Sequence, residues 1–141
     1  MSDKILVPLD GSPTATRVIQ GIIREQRRIF GELTLLHVLD EDKLNYRMIP
    51  DFQVEMIREH ARKAARQILE THREALARGG VSAEIRLASG SPRQVVCRIV
   101  KDESFNLLIL GRRGSGEIRD MLFGSVANYA LHNVSCPVLL F

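Results

Sequence analysis

The sequence predicts an α/β protein, an open five-stranded parallel sheet with helices on both faces, and three observations predict it. Five short apolar runs, each bounded by turn residues, are spaced along the chain as buried strands would be. Four segments between them carry apolar residues at helical spacing. Two of those segments open on a Ser-Pro dipeptide, Ser12-Pro13 and Ser91-Pro92, which suits a helix cap followed by the first helical position. Strands alternating with helices imply a parallel sheet covered on both sides.

Taken in order, Lys4-Ile5-Leu6-Val7-Pro8-Leu9 is the first strand. A helix follows from Pro13, with Ala15, Val18, Ile19, Ile22, Ile23, Ile29 and Phe30 recurring on one side and Gly31 ending it. Leu33 to Val38 is the second strand, and Leu39 to Pro50 has no clear period. Asp51 can cap a long helix whose inward face holds Ile57, Ala61, Ala64, Ala65, Ile68 and Leu69, and Gly79-Gly80 stops it. Val81 to Leu87 alternates apolar and polar residues, as a partly exposed strand does. Val95, Val96, Ile99 and Val100 mark the third helix. Leu107 to Leu110 is apolar throughout and predicts an interior strand. Ser125 can cap a fourth helix with Val126, Ala127, Ala130 and Leu131 inward, and Pro137 to Phe141 is the last strand. Residues 1–141 are expected to form one domain, with no repeat or linker.

Composition narrows the function classes. A chain of 141 residues can bury a sizeable core without disulfides or metals. No apolar run approaches the ~20 residues needed to cross a bilayer, and Met1-Ser2-Asp3-Lys4 leads directly into a strand, so a cytoplasmic protein starting near Met1 is expected, with no membrane insertion. The net charge of +3 arises from 20 basic and 17 acidic residues mixed along the chain, and aromatics are 5%, a pattern that argues against nucleic-acid binding. Cys97 and Cys136 form no CxxC pair and are expected to be reduced thiols. His60 and His72 are too far apart on their helix to share a zinc, His132 lies near a helix end, and His37 suits a core histidine inside an apolar strand. No metal site and no catalytic residue is assigned.

In such a sheet, ligands bind beyond the carboxyl ends of the strands where strand order reverses. The hydrophobic patterns do not set the order. For the order 3-2-1-4-5, the flanking loops are Asp10-Gly11-Ser12 and the segment starting at Gly111. The second runs Gly111-Arg112-Arg113-Gly114-Ser115-Gly116, and Gly124-Ser125 then opens a helix. Glycines let backbone N–H groups approach an anion, the helix N-terminus favours negative charge and the arginines add to it, so these parts suit a polyphosphate. The same glycines could equally serve turns, and Asp10 could serve an Asx turn at the helix start. There is no GxxxxGK[ST], and GxGxxG fails at Arg119. Met121-Leu122-Phe123 is expected to pack down and hold this segment in place.

Gly111-x2-Gly114-x9-Gly124-Ser125 resembles the ATP-binding signature G-x2-G-x9-G-[ST] of the universal stress protein family. Val7-Pro8-Leu9-Asp10-Gly11-Ser12, Leu36-His37-Val38, Gly90-Ser91-Pro92 and Ser135-Cys136-Pro137-Val138 are similar to other stretches of that family, so the resemblance covers nearly the whole chain. It implies the strand order 3-2-1-4-5 of a Rossmann-like, adenine nucleotide alpha hydrolase-like fold, and ATP with Mg²⁺ or Mn²⁺ as ligand. It implies that Asp10 meets the ribose or the metal-phosphate region and that Pro8, Leu9 and Val38 border adenine and ribose. It further implies that Gly111, Gly114, Gly124 and Ser125 hold the phosphates, joined by Ser12 and Arg113 and flanked by Leu110 and Val126. Two positions depart from the family pattern: Asn106 stands where an aspartate is common and Arg112 where a small residue is common.

These features predict an ATP-binding regulatory or stress-response module with slow or no hydrolysis, acting through an unidentified protein partner. An enzyme cleaving ATP at the α-phosphate would show an SGGxDS-type loop, whereas this chain has Asp10-Gly11-Ser12-Pro13. A structural dimer that has lost the nucleotide would not need the intact glycines. Glu117 and Asp120 are the carboxylates of the glycine segment that could orient water. The apolar edge strand 137–141 invites a homodimer through antiparallel pairing.

Overall fold

The computed structural model describes residues 3–40, 49–112 and 125–141. Strands and helices alternate as β1 (Lys4–Pro8), α1 (Pro13–Arg24), β2 (Glu32–Asp40), α2 (Asp51–Arg78), β3 (Ala83–Gly90), α3 (Pro92–Asp102), β4 (Leu107–Leu110), α4 (Ser125–Asn133) and β5 (Val138–Leu140). The sheet order is β3-β2-β1-β4-β5 with every neighbouring pair parallel, a Rossmann-like arrangement and the order that the resemblance implies. Alternate residues of each interior strand feed opposite faces. Ile5, Val7, Leu33, Leu35 and Ile109 pack with Val18, Ile19 and Ile22 of α1 and Leu69 and Leu76 of α2. Leu6, Leu36, Leu108 and Leu110 pack on the other face with Val95, Val96, Ile99 and Val100 of α3 and Ala127 and Ala130 of α4.

Three helices depart from the periodic reading. α1 stops at Arg24 and a short 3-10 turn, Gln26–Arg28, follows it. The Gln26 side-chain amide donates to the carbonyls of Ile23 and Gly79, both at 2.9 Å, so a bond to a residue 53 positions away occupies the end of the helix. Phe30 then lies outside the helix, 77% exposed. α2 begins at Asp51 with Pro50 in the cap position, so Asp51 is a first-turn acid rather than the cap. Its buried residues are Val54, Ala65, Leu69 and Leu76, while Ile57 and Ala64 are exposed. The cause is length. The 28 residues of α2 extend about 42 Å at 1.5 Å each, against about 30 Å for the nine of β2. The surplus lies at the N-terminal half, where Phe52, Met56 and Ile57 are all exposed. In α4, which begins at Ser125, Ala127 and Ala130 are buried as expected, but Leu131 is 41% exposed.

Ser12 and Ser91 occupy the cap positions of α1 and α3, each followed by proline, yet neither side chain bonds to its helix. Gly90, the last residue of β3, has φ +134°, and a Cβ there would lie 2.9 Å from Val95 Cγ2. Glycine is thus required where the chain turns from the sheet into α3.

Asn106 has a structural explanation. Its Oδ1 accepts the Lys4 N–H at 2.7 Å, and its own N–H donates to the Lys4 carbonyl at 2.8 Å. An aspartate would accept the same bond, so the departure from the family pattern preserves the lock between β4 and β1. The Lys4 ammonium sits 4.5 Å from the Phe105 ring centroid and donates to the Glu103 carbonyl. Arg86 of β3 bonds the Glu103 carboxylate at 2.6 Å, which holds that carboxyl below its usual range. Cys97 and Cys136 are free thiols. Burial pushes both up, away from the reactive thiolate.

Candidate functional site

Strand lengths make the site. β1 ends at Pro8, opposite Leu36. β2 runs four residues further, to Asp40, supported on its other side by β3 up to Gly90. Beyond Pro8 the position next to β2 therefore has no strand in it. The first residue past the end, Leu9, still donates its N–H to Leu36 O at 2.7 Å. Backbone groups alternate sides along a strand, so Val38, two residues past Leu36, turns its N–H and C=O toward the same vacated side. This is one donor and one acceptor, side by side on a rigid edge.

A cleft of about 1010 Å³ opens there, a size at the upper end for small-molecule sites. Pro8, Leu9, Asp10 and Ser12 line it from the end of β1, Val38 from β2, Leu110 and Gly111 from the end of β4, and Ser125 and Val126 from the start of α4. Nine of the residues that the sequence points to thus surround one space. The other three, Arg113, Gly114 and Gly124, lie outside the described residues, as do Glu117, Asp120 and Met121-Leu122-Phe123.

Asp10 forms the Asx turn weighed for it. Its Oδ1 accepts both the Ser12 N–H at 2.9 Å and the Ser12 hydroxyl at 2.5 Å. This is why the Ser12 hydroxyl does not cap α1. The other oxygen, Oδ2, has no partner among the described residues, and the side chain is exposed to the cleft. The turn therefore aims a carboxylate while using only half of it.

Gly111 is required for a reason the motif does not express. A Cβ at that position would lie 2.3 Å from Thr14 Cγ2 and 2.8 Å from Val18 Cγ2. The close approach is to α1, so Gly111 brings the end of β4 down on the first turn of that helix. Gly11, by contrast, would place a Cβ at an ordinary 3.5 Å from Ile68. Next to Gly111, the Arg112 N–H donates to Phe141 O at 3.0 Å, and the Arg112 carbonyl accepts from the Arg17 guanidinium. The backbone of Arg112 is thereby held while its side chain is exposed at the cleft rim.

Other lining residues were not singled out as ligands from sequence. Arg93, at the start of α3, lies over the Tyr129 ring with its guanidinium carbon 5.4 Å from the centroid. With Arg112, just past β4, it brings positive charge to the cleft, whereas Asp10 and Asp40 stand at the ends of β1 and β2. His37, which its apolar strand predicts to be a core histidine, is instead half-buried and lines the cleft, with Nδ1 3.0 Å from the Leu9 carbonyl. Its position at the overhanging end of β2 depends on a strand-length difference that local sequence does not carry. Between α1 and α2 a side pocket of about 190 Å³ is lined by Gly11, Ser12, Thr16, Gln67, Ile68, Thr71 and His72. Burial lowers the His72 pKa, partly offset by the Asp10 charge. Among the described residues no three His, Cys, Asp or Glu side chains gather as a metal site. No helix among them is long and apolar enough to cross a membrane.

The comparisons with known proteins agree with this architecture. Residues 1–141 match the universal stress protein family. Universal stress protein YxiE of Bacillus subtilis is 29% identical over 146 residues, covering 99% of each chain. Universal stress protein MJ0577 of Methanocaldococcus jannaschii superposes with a TM-score of 0.78 at 26% identity, covering 98% of this chain and 94% of that one. A universal stress protein of Archaeoglobus fulgidus, solved in complex with dAMP, shares the fold at 20% identity with a TM-score of 0.63, covering 98% and 96%.

Proposed function

The chain belongs to the universal stress protein family, and from that premise we propose that its cleft binds ATP with Mg²⁺ or Mn²⁺, and that occupancy regulates a response to stress in the cytoplasm. The observation that carries this reading is the vacated position beside β2. The Val38 N–H and C=O match the Watson–Crick edge of adenine, whose N1 accepts and whose 6-amino group donates. Guanine presents the opposite pattern, a 6-oxo acceptor and an N1–H donor. The far side of the cleft suits phosphates, since α4 opens there at Ser125 and Arg93 and Arg112 line the wall. A magnesium ion bound to nucleotide phosphates usually takes one or two protein carboxylates, and Asp10 Oδ2 offers one. The dAMP complex of the Archaeoglobus fulgidus relative is compatible with an adenine nucleotide as the ligand.

The test is calorimetric titration of the purified protein with ATP and GTP in the presence of Mg²⁺. ATP is expected to bind with one site per chain and GTP at least tenfold more weakly. Equal affinity for the two, or none for either, would overturn the assignment. Hydrolysis in the same preparation is expected to stay well below ~1 s⁻¹, since Asp10 and Asp40 are the carboxylates among the described cleft residues and Asp10 is assigned to the metal.

A homodimer through β5 belongs to the same reading. β5 pairs with β4 through the backbone groups of Pro137 and Phe141, so the alternating groups of Val138 and Leu140 face the open edge. Leu140→Pro removes one outward N–H and leaves the β4 ladder intact. Sedimentation at tens of micromolar should show a dimer for the natural chain and a monomer for Leu140→Pro. A natural chain that sediments as a monomer would end the idea.

A further inference from the structure

We propose that His37 reads the nucleoside, accepting through Nε2 a hydrogen bond from a ligand donor, either a ribose hydroxyl or the base amine. This rests on the nucleotide assignment above and adds a residue to it. The argument begins with the Leu9 carbonyl, which can only accept. A hydrogen bond across the 3.0 Å between His37 Nδ1 and Leu9 O therefore requires the proton on Nδ1. In the neutral ring that leaves Nε2 with a lone pair and no proton. The tautomer is set by the backbone, not by the ligand.

The ring also lines the cleft, and Nε2 has no hydrogen-bond partner among the described residues. The same ring edge spans the two strands that frame the vacated position. His37 is rooted in β2, next to Val38, and is tied to Leu9, next to Asp10. A half-buried acceptor of fixed direction discriminates well, because a ligand lacking the matching donor leaves it unpaired. Val38 can judge the base edge through its backbone, but it cannot judge the sugar or the second proton of the amine. His37 supplies a side-chain acceptor for one of these.

Two substitutions separate the ring nitrogens. Asn at 37 places an amide near Nδ1, preserving a donor to Leu9 O, and removes the outer acceptor. Gln places its amide near Nε2 and restores an acceptor there. The experiment is calorimetry of the full chain, natural, His37→Asn and His37→Gln, with Mg-ATP, Mg-2′-deoxy-ATP, Mg-3′-deoxy-ATP and Mg-purine riboside triphosphate, whose C6–H replaces the amine and leaves N1 an acceptor. Thermal melts confirm that each variant is folded.

His37→Asn is expected to weaken ATP by about three- to tenfold, the range of one net hydrogen bond. His37→Gln is expected to recover part of that loss. The loss should vanish for one analogue, the one lacking the donor that His37 meets, and persist for the other two. That analogue identifies the group as the 2′-hydroxyl, the 3′-hydroxyl or the amine. An equal loss for all four nucleotides would show that His37 acts only by holding Leu9, and would overturn the proposal, as would undiminished ATP binding by folded His37→Asn. A natural chain that binds none of the four overturns the nucleotide assignment itself, and His37's role with it.

Discussion

Asp10→Asn is expected to leave the fold intact and to weaken Mg-ATP binding by about ten- to a hundredfold. Asparagine keeps an oxygen in the place of Oδ1, so the bonds from the Ser12 N–H and hydroxyl survive, and stability should change by no more than about 0.5 kcal/mol. What it removes is the charge on the oxygen that faces the cleft. A hydrogen bond or metal contact to a charged group contributes about 1.5–3 kcal/mol, which is the expected loss in affinity. Asp10→Ala removes the turn as well and should lose both stability and binding. The comparison separates the two roles open to this residue. Calorimetry in which Asp10→Asn binds Mg-ATP like the natural chain would reduce Asp10 to a turn residue. Repeating it without divalent metal shows whether the lost energy ran through the metal, because a direct contact to the sugar would persist.

Gly111→Ala is the second large effect, and it begins as a packing failure. The added methyl would overlap Thr14 Cγ2 and Val18 Cγ2, at 2.3 and 2.8 Å. Both partners are β-branched and therefore stiff at χ1, and Val18 is buried in the core, so neither can move aside cheaply. Overpacking of this kind costs about 1–3 kcal/mol. Relief by separating β4 from α1 would also widen the cleft and reduce ligand affinity. Thr14→Ser deletes the nearer methyl and should recover part of the stability in the double variant, a coupling that chemical denaturation can measure. Gly11→Ala is the control, expected to be nearly neutral in stability since its Cβ meets only ordinary contact. If Gly111→Ala melts like the natural chain, this glycine serves the ligand alone.

Much of the fold was legible because its information is local. The stripe Val95, Val96, Ile99 and Val100 was read from spacing, and all four side chains are buried. Where the structure differs from the local pattern, the cause lies elsewhere in the chain. The end of α1 depends on Gln26 reaching Gly79, a contact between sequence-distant elements. The inward face of α2 is shorter than its periodicity predicts, because a helix longer than the sheet has core to face along only part of its length, and Ile57 lies in the overhanging part. Leu131 suits the stripe of α4 but is exposed and does not join the cluster that holds Ala127 and Ala130. At the site, composition points to Asp10-Gly11-Ser12 and to Gly111, which line the cleft. It could not reveal that Gly111 is needed by Thr14, nor that His37 stands past the end of the neighbouring strand, since both follow from tertiary neighbours.

The early end of β1 also has a thermodynamic meaning. Half of the backbone groups at the end of β2 face a place where the sheet has been left one rung short. A flat molecule that hydrogen-bonds to Val38 there continues the sheet, as a prosthetic segment would. Binding and completion of that corner then become a single process, and ligand concentration enters the stability of the protein directly. At a hundred times the dissociation constant the linkage amounts to about 2.7 kcal/mol, a substantial share of a typical domain's stability of about 5–15 kcal/mol. If the ligand is the proposed nucleotide, a rise or fall in its concentration would register as a change in how firmly this corner is folded, with no catalytic step needed to transmit it.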